Sequence, residues 1–398
     1  MRVLYLHQFF LTRADGGGTR SYELARHLVA AGHEVVMLTA GGSGGARREV
    51  EGIQVVEVPG AYADYARATE MGYTARAAAF ARFAARAALA VQRVPRPAVV
   101  FATSPPLTIA LPAIAAARRH GAPFVFEVRD LWPRAPIEMG ALRSPWAQRA
   151  AYALESWVLR QAEHVVALSP GMVDGVVMAG ADPARVTLEP NASDLDLFHP
   201  DLDPGDLRER HGLVGKFVVS YFGTMGEAND LSQAVEAAAL LAGEDVAFVL
   251  QGEGKRRRTL EEEVRRRGLA NVIVLPAADK ASAARLAAAS DACLTLFKDV
   301  PVLATNSPNK LFDTFAAGRP AIVNTAGWQR ELVEENGAGL FARPGDPAHL
   351  AEQLIRLRDD PELRAAMGSR ARALAESQFD RRELVARVRE VLERAAGA

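Results

Sequence analysis

The chain has 398 residues, of which 49% are hydrophobic and 24% are charged, a composition typical of a globular protein long enough for two domains. Its formal net charge is −1, so no overall excess of basic residues indicates a nucleic-acid-binding protein. The single cysteine, Cys293, excludes an intramolecular disulfide and a zinc site built from cysteines.

Membrane and export signals are not predicted. No run of about 18 apolar residues is present, as a membrane-spanning helix would require. The chain opens on a strand-like segment, Val3–Leu6, rather than on a basic stretch followed by a long apolar run, so we expect no signal peptide. We therefore expect a cytoplasmic protein, and a peripheral contact with the inner face of the cell membrane stays open.

Short apolar segments alternate with amphipathic helical patterns along the chain. The first series of predicted strands comprises Val3–Leu6, Glu34–Leu38, Ile53–Glu57, Val99–Phe101, Phe124–Val128, Val165–Ala167 and Val186–Leu188. The second comprises Phe217–Tyr221, Val246–Leu250, Val272–Leu275, Ala292–Leu296, Ala321–Val323 and Gly339–Phe341. Helical patterns between them include Arg20–Ala31, Leu231–Leu241, Leu260–Gly268 and Leu350–Leu357. This alternation predicts an α/β protein with two Rossmann-like domains, each a parallel sheet covered by helices.

The predicted break between the domains lies where prolines and aspartates occur without apolar periodicity. We expect a first domain over residues 1–195, a linker over 196–212 and a second domain over 213–380. A last amphipathic helix is predicted over 381–398.

A glycine-rich loop follows the first predicted strand. Gly16, Gly17 and Gly18 would let the backbone approach a ligand closely and direct N–H groups at it. Ligands of parallel sheets bind beyond the carboxyl ends of the strands, which is where this loop lies. A flexible turn is the alternative. The spacing fits neither a Walker loop nor Gly-x-Gly-x-x-Gly, which disfavours an NTPase or a dehydrogenase.

Charged residues also end a predicted buried strand. Arg129 and Asp130 follow Phe124–Val128, where charge is costly in a core and useful at a site. A structural salt bridge between the two side chains is the alternative interpretation.

The segment 62–94 interleaves aromatic residues with arginines. Such a pattern suits a membrane surface or an anionic lipid headgroup. It suits equally a solvated Arg-rich helix that packs through its aromatic residues.

The segment 306–322 reads as a polar loop, a short helix, a glycine turn and a buried strand. Lys310 would lie beside Asn309 in the first turn of the helix, where a cation opposes the helix dipole. That placement becomes favourable if phosphate binds at the same helix end. Asp313, one turn further on, could accept hydrogen bonds from sugar hydroxyls, so the pair indicates a nucleotide-diphosphate site. An ordinary surface helix with an isolated lysine is the alternative.

This segment resembles the donor-site motif of family 4 glycosyltransferases, the retaining GT-B enzymes. Asp313 matches the second acidic position of that motif, and Gly318 and Pro320 match its tail, whereas Thr305 occupies the first acidic position. The Pro-Asn-Lys sequence before the helix is similar to a bacterial surface-polysaccharide branch typified by N-acetyl-L-fucosamine transferases. The resemblance implies a GT-B fold in which the last helix crosses back to the first domain.

The chain departs from the family at other positions. Many members carry His-Asp where this chain has Arg129 and Asp130, and an Arg and a Lys where it has Thr224 and Asn229. Lys280 is a weaker candidate for the cation that would balance the negative charge of the diphosphate. The resemblance implies donor contacts for Gly17, Gly18, Gly223, Thr224, Gly226, Gly252, Lys280, Asn309, Lys310 and Asp313.

The implied reaction is transfer of a sugar from a nucleotide diphosphate, which we expect to be UDP, to a hydroxyl of a glycan or polyprenyl-diphosphate-linked acceptor. The implied mechanism is front-face attack with retention. Lys310, Gly17 and Gly18 would stabilise phosphate charge, Asp313 would bind the ribose, and Asp130, beside Arg129, would orient the sugar or acceptor. No further cofactor is expected.

Two other functions stay open. A nucleotide-sugar 2-epimerase of GT-B fold would need no acceptor and could use His7 and Asp130 as ionisable groups. A non-catalytic sugar-nucleotide or glycan-binding protein would fit the missing Arg, Lys and first acidic residue. Two Asp-x-Asp pairs, Asp194-Leu-Asp196 and Asp201-Leu-Asp203, lie in the predicted linker rather than after a core strand, so we predict no metal site.

Overall fold

A computed structural model describes residues 1–15, 18–42, 45–59 and 73–397, except for the side chains of residues 73 and 74. It contains an eight-stranded sheet and a six-stranded sheet. Buried apolar clusters lie on both faces of each sheet, under the helices. The predicted α/β fold with two Rossmann-like domains is confirmed.

The first sheet has the strand order β3-β4-β2-β1-β5-β6-β7-β8. All neighbours are parallel except β3 and β4. The strands are β1 (Arg2–Leu6), β2 (Glu34–Ala40), β3 (Arg47–Val50), β4 (Ile53–Val58), β5 (Val99–Thr103), β6 (Phe124–Val128), β7 (His164–Ala167) and β8 (Val186–Leu188). The helices of this half are α1 (Arg20–Ala30), α2 (Tyr73–Ala90), α3 (Ala110–His120), α4 (Arg134–Glu138), α5 (Pro145–Gln161) and α6 (Pro170–Met178).

The second sheet is fully parallel, with the order β11-β10-β9-β12-β13-β14. Its strands are β9 (Phe217–Phe222), β10 (Val246–Gln251), β11 (Val272–Leu275), β12 (Ala292–Thr295), β13 (Ala321–Val323) and β14 (Gly339–Phe341). The helices of this half are α7 (Leu207–Arg210), α8 (Leu231–Leu240), α9 (Arg257–Arg267), α10 (Lys280–Ala288), α11 (Asn309–Ala316), α12 (Trp328–Glu335), α13 (Pro347–Asp359), α14 (Pro361–Gln378) and α15 (Arg381–Ala396).

Local chemistry explains where these elements form. The strand β9 is buried along its whole length, as expected for a parallel strand covered on both faces. Helices α5 and α6 begin with proline, and the hydroxyls of Ser144 and Ser169 accept hydrogen bonds from backbone N–H groups of the first turn. Gly121 ends α3 in the left-handed conformation that glycine adopts without strain.

Every strand predicted from the sequence is present, but β3 was missed. This short strand pairs antiparallel with β4 at the sheet edge, and most of its residues are exposed. Its charged sequence, Arg-Arg-Glu-Val, suits an edge and carries no apolar run.

The strand order places two crevices opposite each other. In the first sheet β1 lies between β2 and β5, and in the second β9 lies between β10 and β12. Chain connections leave in opposite directions at these switch points, which opens a crevice beyond the carboxyl ends of the strands. The segment after β1 and the segment after β9 both line one cleft between the domains.

The last helix, α15, crosses back to the first domain, as predicted. Val388, Val391 and Leu392 pack into the same buried cluster as Val3 and Tyr5 of β1. An ion pair of 2.9 Å between Arg387 and Glu189 adds to this contact.

The residues between β12 and α11 contact the first domain directly. The Val302 N–H donates to Oε2 of Glu138 at 2.7 Å. The Asn191 N–H donates to Oγ of Ser307 at 3.0 Å. The segment 301–307 therefore forms one side of the joint between the domains.

Candidate active site

The cleft between the domains has a volume of ≈ 740 Å³. The first domain contributes residues that follow strands β1, β5 and β6, and the second contributes residues that follow β9 and β12 together with the start of α11. Of the predicted site residues, the lining includes Gly18, Arg129, Asp130, Thr224, Gly226, Asn309 and Lys310.

Lys310 is a cation held in a largely aromatic pocket. Its Nζ donates to the Tyr221 hydroxyl at 3.1 Å and to Oδ1 of Asn229 at 3.3 Å. It lies 4.5 Å from the ring centre of Tyr221 and 5.4 Å from that of Phe297. Within the described part of the chain, no carboxylate lies within 4.0 Å of this ammonium. Burial lowers the pKa of Lys310 to about 7, because the charged form loses hydration.

Two neighbours of Lys310 stand at the positions where the resemblance to the family leads one to expect cations. Asn229 replaces the family lysine and accepts a hydrogen bond from Lys310. Thr224 replaces the family arginine, and its carbonyl accepts a hydrogen bond from Tyr221. A Cβ added to Gly223 would lie 3.1 Å from Cε of Lys310, so this turn leaves room for the lysine chain.

The Gly18 loop and the start of α11 face each other across the cleft. A Cβ added to Gly18 would lie 3.4 Å from Nη2 of Arg129 and 3.7 Å from Nδ2 of Asn309. Both are ordinary van der Waals distances, so the Gly18 backbone lies close to side chains of both domains. Gly17 lies outside the described residues, so its predicted phosphate contact stays a prediction.

Asp130 lies in the loop after β6. Its carboxylate makes no hydrogen bond and no ion pair with any residue that the structure describes. The alternative of an Arg129–Asp130 salt bridge is therefore wrong. Burial raises the pKa of Asp130 to about 6, and the positive charges of Arg129 and Arg76 limit that rise.

His7 also lines the cleft, at the end of β1. Its Nδ1 lies 2.8 Å from Oγ of Ser21. Burial and the nearby charge of Arg129 lower the pKa of His7 well below its usual value, so the imidazole is neutral at pH 7.

Asp313 and Lys280 lie together at the joint between the domains, and neither is among the cleft-lining residues. Oδ1 of Asp313 accepts a hydrogen bond of 2.7 Å from Ser193 and lies 3.8 Å from Nζ of Lys280. Burial lowers the pKa of Lys280 to about 8, although Asp313 opposes the shift. The structure thus places Lys280 beside the predicted ribose ligand rather than beside Lys310.

Gly252 packs directly against the backbone of Gly223. A Cβ at this position would lie 1.8 Å from the carbonyl oxygen of Gly223, a contact that no side chain tolerates. The residue lies outside the cleft lining, so a direct contact between Gly252 and the donor stays a prediction.

Thr305, at the first acidic position of the motif, packs at the domain joint. Its hydroxyl donates to the Val302 carbonyl at 2.7 Å, and its carbonyl accepts from Ser169. A Cβ on Gly171 of α6 would lie 2.8 Å from Cγ2 of Thr305. A longer acidic side chain would therefore crowd α6 in this arrangement of the domains.

The described part of the segment 62–94 contains both buried aromatic side chains and exposed arginines. Phe80 and Phe83 are buried, and Phe80 packs edge-on against Trp132 with ring centres 6.0 Å apart. Arg82 and Arg86 are exposed. These residues fit the helix that packs through its aromatics, whereas residues 62–72 lie outside the described part. None of the described helices combines the length and the apolar character needed to cross a bilayer.

The described residues contain no group of three or more His, Cys, Asp or Glu side chains that could hold a metal ion. The aspartates of the first Asp-x-Asp pair are engaged in ion pairs. Asp194 pairs with Arg13, and Asp196 pairs with Arg382.

Two family models match consecutive parts of the chain. The model described as "Glycosyl transferase 4-like domain" matches residues 15–192. The model described as "Glycosyl transferases group 1" matches residues 205–374.

Curated relatives resemble parts of the chain. An alpha-D-kanosaminyltransferase of Streptomyces kanamyceticus is 25% identical over 179 residues, which cover 44% of this chain and 45% of the relative. An Escherichia coli protein named as a colanic acid biosynthesis glycosyl transferase, WcaI, is 27% identical over 213 residues, 52% of each chain. The chain thus spans about half the length of these relatives.

Solved structures match along nearly the whole chain. Sucrose-phosphate synthase from Thermosynechococcus elongatus is 18% identical with a TM-score of 0.79, covering 99% of this chain and 98% of that one. Anabaena HepE, solved in complex with UDP and glucose, is 19% identical with a TM-score of 0.76, covering 99% and 100%. At these identities the likeness concerns the fold.

Proposed function

We propose, from the premise that this chain is a two-domain glycosyltransferase of the GT-B fold, that it transfers a sugar from a nucleotide-diphosphate donor to an acceptor hydroxyl with retention. The donor we propose is a UDP-sugar, and the acceptor is a glycan or a lipid-linked glycan. The single observation that carries this proposal is the ammonium of Lys310 in the cleft.

Lys310 is suited to an anionic ligand. An ammonium with only neutral partners is costly to bury, and a diphosphate would restore the missing countercharge. The ligand would also meet the first backbone N–H groups of α11, since a helix N-terminus attracts phosphate. Both features act at the same end of α11.

The same groups would assist the reaction. As the bond between the sugar and the diphosphate breaks, negative charge grows on the departing phosphate oxygen. Lys310 and the N–H groups at the start of α11 are already oriented, so they would stabilise this charge without reorganisation. The departing phosphate would take the proton of the acceptor hydroxyl on the same face of the sugar, which gives retention.

Asp130 and Asp313 are proposed to bind the two sugars of the donor. Asp130 lines the cleft wall of the first domain and would orient the transferred sugar or the acceptor. Oδ1 of Asp313 is occupied by Ser193, and Oδ2 makes no hydrogen bond within the described part of the chain, so Oδ2 is the atom that a ribose hydroxyl would reach.

The acceptor side of the cleft is largely apolar. Phe9, Phe80, Leu142 and Leu154 line it on the first domain. This wall supports an acceptor with an apolar part, such as a lipid-linked glycan. The relative named for colanic acid biosynthesis supports a role in bacterial surface polysaccharide.

Nucleotide binding tests the donor site first. The melting temperature would be measured with UDP, GDP, ADP and TDP for the wild type and for Lys310→Ala. We expect one nucleotide, UDP, to raise the melting temperature of the wild type by several degrees and to have no effect on the variant. No shift with any nucleotide would contradict the proposal and favour a non-catalytic protein that binds glycan.

An assay of turnover distinguishes transferase activity from epimerase activity. UDP release from UDP-glucose and UDP-N-acetylglucosamine would be followed with and without acceptor glycans, and the anomeric configuration of the product read by NMR. Acceptor-dependent release with retained configuration is expected. Conversion of UDP-N-acetylglucosamine to its 2-epimer without an acceptor would instead establish the epimerase.

A further inference from the structure

Glu155 is a buried carboxylate on α5 for which the proposed mechanism has no use. It is 8% exposed. No residue in the described ranges donates a hydrogen bond to it or forms an ion pair with it. Burial raises the pKa of Glu155 to about 7, because the charged form loses hydration and no cation compensates.

A small cavity connects Glu155 to the cleft wall. The cavity has a volume of ≈ 10 Å³, and its lining includes Glu155, Asp130, Trp132 and Ser104. That volume is about the space needed by one water molecule, which requires two to four polar partners. The polar side chains among the lining residues are those of Glu155, Asp130, Ser104 and Trp132, and Asp130 is also among the residues that line the cleft.

We infer that one buried water joins Glu155 to Asp130 and Ser104, and that Glu155 is a positioning residue that keeps a proton so that Asp130 meets the substrate as the ionised carboxylate. One negative charge is then shared by two carboxyl groups on the same cavity. This inference rests on the proposed function, because it concerns the state of Asp130 during transfer.

The surrounding charges decide which carboxyl group keeps the proton. Arg129 and Arg76 act on Asp130 and favour its ionised form. His7, near Arg129, is neutral. Among the described residues Glu155 has no such partner, since Arg134 is paired with Glu138 at 2.6 Å. Tyr152 precedes Glu155 by nearly one turn of α5. Burial raises the pKa of its hydroxyl, and negative charge on Glu155 adds to that rise.

The pH dependence of kcat at saturating donor tests the inference. Saturation matters because the bound diphosphate keeps Lys310 protonated, so that kcat reports the groups of the enzyme–substrate complex. For the wild type we expect kcat to fall below about pH 6, as Asp130 gains a proton. We expect it to fall again above about pH 7–8, because loss of the Glu155 proton places a second negative charge on the same cavity and repels the carboxylate of Asp130. By pH 9 the alkaline loss should reach about tenfold to a hundredfold.

Glu155→Gln imitates the protonated carboxyl group and cannot ionise. It should keep kcat near the wild-type value at pH 7 and abolish the alkaline loss, whereas Glu155→Leu should lower kcat at every pH. The control is Glu163→Gln, in an exposed ion pair just after the same helix, which should leave the profile unchanged. An alkaline loss that persists in Glu155→Gln would overturn the inference.

Infrared spectroscopy gives a readout that does not depend on turnover. The wild type should show the carbonyl band of a protonated carboxylic acid at pH 7, and Glu155→Gln should lack it. Absence of that band from the wild type would refute the inference even if Glu155→Gln failed to fold. A wild type without transfer at any pH would refute the proposed function, whereas an active wild type without the band refutes only the role of Glu155.

Discussion

Lys310→Met is expected to stabilise the ligand-free protein and to abolish donor binding. The pKa of Lys310 is lowered from 10.5 to about 7. The unfolded chain therefore binds more protons between these values, so this lysine destabilises the fold most at and below pH 7 and progressively less as pH rises to 10.5. At about 1.36 kcal/mol per pKa unit, the cost is on the order of 5 kcal/mol below pH 7.

Methionine has a similar length without the charge, so we expect it to recover somewhat less than half of that cost, about 2 kcal/mol. Since about 1 kcal/mol moves the melting temperature of a domain of this size by roughly 2 °C, the ligand-free variant should melt about 4 °C higher at pH 6–7. The gain should shrink as pH rises towards 9. Differential scanning fluorimetry across this range measures the effect.

Donor binding should change in the opposite sense. Wild-type affinity for UDP, measured by calorimetry, should fall by about tenfold per pH unit above about 7, because the free lysine must take up a proton to pair with the diphosphate. The Met variant should bind weakly at every pH. The matched control is Lys216→Met, because Lys216 directly precedes the first residue of β9, at the end of the strand away from the cleft. It should change neither the melting temperature nor the affinity for UDP. A Lys310→Met protein that melts lower than the wild type, or that keeps pH-dependent UDP binding, would refute the reasoning.

Two further substitutions test the framework around the cleft. Gly252→Ala should destabilise the second domain severely, because the added Cβ would lie 1.8 Å from the Gly223 carbonyl oxygen. The control Gly243→Ala should fold normally, because no atom of a non-adjacent described residue would lie within 4 Å of a Cβ at that position. Equal melting temperatures of the two variants would contradict this expectation. Arg20→Met should lower the free energy of unfolding by roughly 3–5 kcal/mol in a denaturant titration, because it leaves the fully buried Glu127 without the arginine that now pairs with it at 2.9 Å. A decrease below about 1 kcal/mol would show that the ion pair is dispensable.

The sequence predicted those cleft-lining residues whose position at the end of a strand or the start of a helix is unusual for a core residue. Asp130 directly follows a buried strand, and Lys310 lies in the first turn of a helix. Both placements are unfavourable in an ordinary core and favourable beside a ligand. Such signals are local, so they could be read without knowing how the domains meet.

Other features depend on contacts between distant segments. Glu155 lies on an amphipathic helix, where a carboxylate would ordinarily face solvent, and only the packing of α5 behind the cleft turns it inward. The pairing of Lys280 with Asp313 likewise joins two separate helices, α10 and α11, of the second domain. No spacing in the sequence encodes these contacts.

The return of α15 to the first sheet has a consequence for synthesis on the ribosome. The strands of that sheet emerge first, and the whole second domain is translated before α15 becomes available. At roughly 5–20 residues per second, the delay is on the order of ten seconds or more. During it, the apolar surface around Val3 and Tyr5 that α15 later covers is open to chaperones or to neighbouring nascent chains. The first domain should therefore mature only after the second has been made, and a fragment limited to it should aggregate unless α15 is supplied.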